Sequence, residues 1–506
     1  MSLKGVGPPP APSAGAAAAI AKKIPTVASG YDIERNGSKD NASINQPTKF
    51  IRSDMADVPA QQAAGSTLPL VISRKKGGAE DASGDYNPFE HRNVEHPTSD
   101  FETLIHFLKG VLGSGILAMP MAFMTAGLYF GIGATIIVGI LVTYCVHILV
   151  KSAHILMHRR KIPVMTFADV AEQAFLGSPG LIRWSGFMRF VVNALLLMNL
   201  LGTCCIYMIF VGTQIKQIVD YYDGYDLSLR LWILLFTVPL IFMNLVRNLK
   251  FLTPFSFIAN ALMFVGIVIT FTYILKDIPR STELTKVASV LEWPLFFGTV
   301  IFALEGIAVI MSLENEMKQP KHFIGCPSVL NIGMGLVIVL YIVLGFFGYL
   351  KYGSNTEGSI TLNLPVEEKL AQSVKVMIAI AMFFSFTLHF YVLFSIIWRR
   401  VKDSIAENKR TFTEYCLRIV LVIMCGVIAF ALPNLGPFIS LIGAVCLSTL
   451  GLMVPAIIEL AVYYESPGFG CLDWIMWKDI FLIIFGFVGF LTGTYVSILE
   501  FIEEEP

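Results

Sequence analysis

From Phe101 onward the chain alternates between long apolar blocks and short polar stretches. The blocks fall at about 104–126, 128–153, 188–215, 229–246, 254–275, 293–311, 326–350, 372–398, 414–431, 436–462 and 478–499. A hydrocarbon layer about 30 Å thick takes roughly 20 residues of helix to cross, and each block is close to that length. Backbone groups in lipid must bond within their own segment, so the blocks are predicted to be helices. The alternating ten-residue segments of a membrane barrel are absent. The pattern therefore predicts an all-α polytopic membrane protein with about 11 transmembrane helices. Spans 1–5 cover about 104–275, spans 6–10 about 293–462 and span 11 about 478–499. The close pairs at 104–153 and 414–462 are where this count is most sensitive.

Residues 1–100 read differently. Pro8, Pro9, Pro10 and Pro12, an alanine run and scattered Ser, Asn and Gly give low hydrophobicity without periodicity. Such a stretch cannot bury enough apolar area to offset its chain entropy, so a disordered cytoplasmic tail is expected before a transmembrane domain at 101–500. The run Ala16 to Ile20 is too short and too weakly apolar for a secretory signal, which leaves membrane entry to the first span.

Composition agrees with the pattern. Apolar residues make up 55% of the 506 and charged residues 15%, and mean hydropathy is +0.68. Soluble domains carry roughly 25% charged residues, so this chain lacks the polar surface to wrap so large a core. Lys plus Arg equals Asp plus Glu at 37 each, which suggests no nucleic-acid partner. The cysteines lie in apolar runs or near the expected cytoplasmic side, so no structural disulfide is expected, and the adjacent Cys204 and Cys205 have no zinc-ligand spacing around them.

The distribution of charge sets an expected orientation. With the N-terminus cytoplasmic, the inner loops hold Arg159, Arg160, Lys161, Arg183, Arg247, Lys250, Lys318, Lys321, Arg399, Arg400, Lys402, Lys409 and Arg410. The outer loops then hold fewer basic residues, such as Lys216, Arg230, Lys276 and Lys286, mixed with acids, as the positive-inside rule requires. The Glu503, Glu504 and Glu505 end falls outside or in an organelle lumen, and the sequons at Asn36 and Asn41 stay in the cytoplasm, unused. One inner loop is more than a linker. Thr166 and Asp169 form a capping box, and Phe167, Val170, Ala171, Ala174 and Phe175 recur at helical spacing, which predicts a short amphipathic helix used as a packing strut.

Candidate chemistry gathers in two spans. The first contains Gly110, Gly113, Ser114, Gly115 and Pro120. Glycine costs about 1 kcal/mol in a helix interior and proline about 3, so a break near Gly113–Gly115 is one reading and close helix packing through small residues is the other. A break at mid-membrane exposes backbone N–H groups and the positive end of a half-helix, a ready site for a carboxylate. The sixth span carries Phe302, Leu304, Glu305 and Gly306, and an intramembrane carboxylate is expensive and usually functional. Two interrupted helices five spans apart are what an inverted five-plus-five repeat predicts, with substrate between the breaks. That points to a secondary transporter.

Other polar residues are weighed beside these. His106 and Lys109 share a face about one turn before the first break. With a reference pKa near 6.5, His106 suits a proton-responsive role, and a hydrogen-bonded histidine at the membrane boundary is the plain alternative. Lys109 is expected to snorkel, and a pairing with Glu305 in one conformation is a further expectation. His389 is a weaker candidate. Tyr207, Phe302 and Phe386 could shape a side-chain pocket, and Gly489 and Gly493 form a small-residue pair that serves packing within the chain as well as dimerisation.

The run Thr103 to Gly110 followed by Gly113 to Pro120 resembles the first span of the proton-coupled amino acid transporters, in the amino acid/auxin permease superfamily. Glu305-Gly306 with Leu313 to Lys318, and Gly202 to Tyr207, are similar to the same family's pattern, and Asp85 to His91 resembles its insect members. The resemblance covers about 85–500. It implies the LeuT-type five-plus-five inverted repeat with an eleventh helix, and symport of small neutral amino acids with a proton at the plasma membrane or a lysosomal or endosomal membrane. The family's essential first-span histidine falls on His106. The disulfide of vertebrate members has no cysteines to form it here. Some insect relatives are thought to signal nutrient status while transporting slowly, so nutrient-signalling partners enter the expectations.

The resulting expectation is a symporter whose substrate carboxylate meets backbone N–H groups around Gly113, Ser114 and Gly115, with Phe302, Leu304, Glu305, Gly306 and Tyr207 completing the site. The amine points to carbonyls near Leu304 and Glu305, and His106 couples the proton. No cofactor is expected beyond the proton as coupling ion. The rivals are a sodium-coupled carrier of the same superfamily and a low-capacity transceptor. No zinc-protease motif or nucleophile elbow argues for an enzyme.

Overall fold

The computed structural model describes residues 86–92, 94, 97–178, 180–223, 227–247, 249–276, 278, 284–304, 306–464 and 468–503, all within the unit spanning Ala60–Pro506. The expected tail before residue 86, the two sequons and Glu305 lie outside the described residues.

The first block forms α1 (Asp100–Val111) and α2 (Gly115–Ala126). Ser99 starts α1 through a reciprocal capping box with Glu102, whose carboxylate accepts from the Ser99 N–H at 2.8 Å. The two half-helices bend by 56° at the break. Gly127 then turns the chain at once into α3 (Leu128–Arg160), with φ of +86 and no room for a Cβ, which would stand 2.7 Å from the Ala288 nitrogen.

The amphipathic strut is present as α4 (Phe167–Gly177), capped by Thr166 and Asp169 and burying Phe167, Val170, Ala171, Ala174 and Phe175. Next come α5 (Ser185–Asp223), α6 (Leu229–Asn244) and α7 (Leu249–Leu275). The sixth block is again two pieces, α8 (Trp293–Ala303) and α9 (Ile307–Glu316). They are followed by α10 (Val329–Tyr352), α11 (Lys369–Val401) and α12 (Glu407–Ala431). The tenth block is α13 (Leu435–Ile442), a π-helical stretch Gly443–Met453 and α14 (Val454–Tyr463), and the last is α15 (Trp474–Glu503).

Every predicted block therefore lands on helix. Among the described residues eight helices are long and apolar enough to cross a membrane, and the bent pair α1–α2 makes nine. The two blocks short of that length are α6, whose 16 residues reach only about 24 Å, and the sixth, because its break leaves α8 at 11 residues.

Burial separates a lipid-type surface from a protein core. On α15 the exposed residues Phe481, Ile484, Val488, Leu491 and Tyr495 recur at intervals of three and four, while Asp479, Leu482, Gly486, Gly493 and Ser497 are buried on the opposite face. Apolar outside and small or polar inside is the reverse of a soluble amphipathic helix and is what a bilayer solvent selects. The last-span glycines serve packing within the chain. A Cβ at Gly493 would meet the Ala444 Cβ at 2.6 Å, and one at Gly489 the Ser448 Oγ at 3.6 Å. The α13 and π-helical stretch also abuts α8, since a Cβ on Gly443 would overlap the Gly298 carbonyl oxygen at 1.9 Å.

Candidate functional site

The two breaks pack against each other reciprocally. Gly115, the first residue of α2, stands against Ala303, the last of α8, so closely that a Cβ would lie 2.5 Å from the Ala303 Cα. Gly306, just before α9, stands against Val111, the last of α1, where a Cβ would lie 2.8 Å from Cγ2. Each half-helix end of one broken span thus meets the opposite end of the other. Small residues at 115 and 306 are required by that approach, so the two readings of the glycines, break and close packing, are both realised.

A tyrosine on α10 joins the two breaks. The hydroxyl of Tyr341 lies 2.9 Å from the Val111 carbonyl oxygen and 2.8 Å from that of Ala303, and the side chain is fully buried. Those carbonyls end α1 and α8, where no intrahelical donor remains. The Val111 oxygen also accepts the Gly113 N–H at 2.8 Å.

The start of α2 is uncapped. Ser114 is buried and its side chain makes no capping bond, and the N–H groups of Ser114, Gly115 and Ile116 have no acceptor among the described residues. An uncapped helix N-terminus beside carbonyl ends of other half-helices presents donors and a positive dipole end next to acceptors and a negative one. That arrangement complements a carboxylate and an ammonium a few ångströms apart.

The remaining expected residues divide. Leu304 is buried at the end of α8, its N–H donating to the Val300 carbonyl at 2.9 Å, and Phe302 is buried against Gly443. Tyr207 is buried on α5 and packs edge-on against His389 of α11, ring centroids 5.1 Å apart, a pairing set by the α5–α11 contact. His389 Nδ1 is 2.9 Å from the Ser385 carbonyl. His106 and Lys109 are half-buried on α1, and Glu102 is the acidic neighbour of His106. His106 stands five positions before Val111, the last residue of α1, about 7.5 Å along the axis. The expected Lys109–Glu305 pairing falls on a residue outside the described ones.

A second polar cluster closes the end of the bundle nearest the N-terminal segment, and sequence reasoning missed it. Arg92 places its guanidinium 2.9 and 3.2 Å from the two carboxylate oxygens of Glu314 at the end of α9, with side-chain exposures of 3% and 0%. It also donates to the Glu314 and Pro163 carbonyls. His154 of α3 reaches Glu314 at 2.8 Å. Thr98 adds a short bridge to the chain after α9, donating to the Glu316 carbonyl and accepting from the Lys318 N–H, both at 2.9 Å. The segment just before α1 is therefore strapped to the far half of the second broken span. Glu314 stood inside a quoted motif, but its partner is 222 residues away in a stretch without periodicity.

The chain is 44% identical over 444 residues to the Drosophila melanogaster protein described as "Proton-coupled amino acid transporter-like protein pathetic", covering 87% of this chain and 93% of that one. It is 28% identical over 426 residues to "Amino acid transporter AVT3C" of Arabidopsis thaliana, covering 80% and 91%. The solved structure described as "Inward facing conformation of Mhp1" shares the fold at 13% identity with a TM-score of 0.50, over 84% of this chain and 94% of that one. The fold is the LeuT-type arrangement that the paired breaks imply. Residues 96–499 match the family described as "Transmembrane amino acid transporter protein". With that match and the relatives it agrees with, the chain belongs to the transmembrane amino acid transporter family.

Proposed function

We propose that this protein is a proton-coupled symporter of small neutral amino acids that works by alternating access. The observation that carries the reading is the reciprocal contact of the two breaks, Gly115 on Ala303 and Gly306 on Val111, beside the uncapped start of α2. The substrate carboxylate takes the N–H groups of Ser114 and Gly115, the expected Gly113 N–H being held by the Val111 carbonyl, and the ammonium takes carbonyls at the end of α8 near Leu304 and Glu305. The preference for small neutral amino acids is the expectation carried over from the family resemblance. Phe302 and Tyr207 are assigned to the substrate's side chain. The name of the Drosophila relative supports proton coupling, and His106, more than a helical turn before the first break, is the group assigned to it.

The energetics are sufficient. One pH unit is worth about 1.4 kcal/mol and 100 mV about 2.3 kcal/mol per charge. A proton moving down both at one-to-one coupling supports several-hundred-fold accumulation of a neutral zwitterion, at about 1.4 kcal/mol per tenfold. We place the protein in the plasma membrane or a lysosomal or endosomal membrane, with its N-terminus cytoplasmic, as the loop charges suggest. The test is uptake of labelled alanine, glycine and proline with sodium replaced by choline. Uptake that persists in choline and rises in acid supports the proposal, and uptake that collapses in choline refutes proton coupling in favour of sodium.

A further inference from the structure

A buried charge cluster lies apart from the breaks. Lys478 on α15 contacts the carboxylates of both Glu459 on α14 and Asp479 beside it, the latter at 3.0 Å. Side-chain exposures are 9% for Lys478, 5% for Glu459 and 0% for Asp479. Lys478 donates its hydrogen bond to Glu459, whereas both Asp479 oxygens are buried without a hydrogen-bond donor among the described residues. Two carboxylates therefore share one ammonium, and the carboxylate left over is the more deeply buried. A buried carboxylate that shares its ammonium with a second carboxylate and accepts no hydrogen bond is disfavoured as an ion unless a further cation or a proton joins it.

The surroundings favour the smaller guest. From α3 the cluster is faced by the Tyr144 ring, 5.1 Å from Lys478 Nζ, and by Cys145 and His147, with Lys151 held over the Tyr463 ring of α14. The π-helical stretch contributes Cys446 as its ionisable residue, and α8 and α13 contribute none. No group of three or more His, Cys, Asp or Glu side chains able to hold a metal ion occurs among the described residues. Trp474 and Trp477 are exposed on α15 just before the cluster, as aromatic residues are at a membrane–water boundary. The α14 end is tied to the α3–α4 side of the bundle by the bonds from Arg159 to the Val462 carbonyl and from Ser178 to the Ala461 carbonyl, both 2.8 Å. The cluster thus lies within the protein, about one helical turn from the Trp474 start of α15.

We propose that Glu459, Lys478 and Asp479 form a proton-binding site, with the exchangeable proton on Asp479. The proton adds to a lone pair of an Asp479 oxygen and leaves from the same atom, with no other bond changed. Protonated, Asp479 can donate towards Glu459, and Lys478 and Glu459 remain as one neutral pair. Its role in coupling rests on the proton-symport reading, where it acts in series with His106 and exchanges its proton with water. Its existence as a site does not rest on that reading.

The experiment uses the full chain purified into liposomes. Infrared difference spectra between acidic and mildly alkaline buffer are recorded for wild type, Asp479→Asn, Glu459→Gln and Asp479→Glu, together with labelled-alanine uptake at both pH values. The expected result is a protonated-carboxyl band in wild type that is absent from Asp479→Asn and from Glu459→Gln, which leaves one carboxylate for one ammonium. The Glu substitution restores it. The acid-to-alkaline uptake ratio falls to unity wherever the band is lost. A band and a pH ratio unchanged in both Asp479→Asn and Glu459→Gln overturn the site. A wild type without the band, whose uptake demands sodium, gives the cluster to a metal cation and also overturns it. A wild type with the Asp479 band but with pH-indifferent uptake confirms the site and overturns the symport reading instead.

Discussion

Replacing Tyr341 by phenylalanine removes one hydroxyl from the contact between the two breaks and leaves the ring in place. The hydroxyl bridges the Val111 and Ala303 carbonyls at 2.9 and 2.8 Å in a fully buried position. Val111 keeps the Gly113 N–H, so the net loss is one acceptor, the Ala303 carbonyl, buried without this donor. Leaving such a group unsatisfied costs about 1–3 kcal/mol. The proposed alternating access requires the breaks to part or slide, and the hydroxyl favours the arrangement in which they are held together. Its loss shifts the balance between the two arrangements by roughly 5–150-fold. The assay is alanine uptake at matched surface expression, with alanine affinity and thermal unfolding measured on purified protein. Tyr341→Phe is expected to lower the unfolding temperature and to change uptake and affinity by at least about fivefold. A variant with wild-type uptake, affinity and unfolding temperature would show that the bridge contributes nothing to the site, and the reasoning would fail.

Other outcomes follow from the same geometry. Gly115→Ala forces a Cβ to within 2.5 Å of the Ala303 backbone and is expected to abolish uptake, whereas Gly113→Ala meets nothing within 4 Å and should retain folding, as read by surface expression and uptake side by side. Arg92→Ala strips the guanidinium from the fully buried Glu314 and leaves it His154 alone, so it should lower the thermal unfolding temperature of the purified chain, at a cost below the about 3–5 kcal/mol of a fully unpaired buried charge. Arg92→Lys should recover part of that loss because it keeps the charge without the fork, and equal unfolding of all three proteins would contradict the strap.

Much of the fold was legible because the bilayer imposes its own period. Blocks of about 20 apolar residues are readable without knowledge of packing, and each landed on helix. The glycines at 113, 115 and 306 also marked both breaks, since glycine in a helix interior is costly and invites a local reason. What could not be read was which groups meet across the chain. Tyr341 looked like one aromatic residue among many in an apolar span, and only the fold brings its hydroxyl to two carbonyls 230 and 38 residues away. Arg92 lay in a segment without periodicity, so its contact with Glu314 had no local signature. Lys478 and Asp479 sat at the edge of the last apolar block, where charges ordinarily mark the end of a span, and the burial of both depends on α14.

The central claim is that a proton drives amino acid uptake through the paired breaks. It is tested most directly by expressing wild type and His106→Ala at matched surface levels and measuring labelled alanine, glycine and proline uptake in acidic and mildly alkaline buffer. The account predicts uptake that rises in acid for wild type and disappears in the variant. Uptake indifferent to pH in both proteins would leave a transporter of this family whose driving force is not the proton, and would contradict the account.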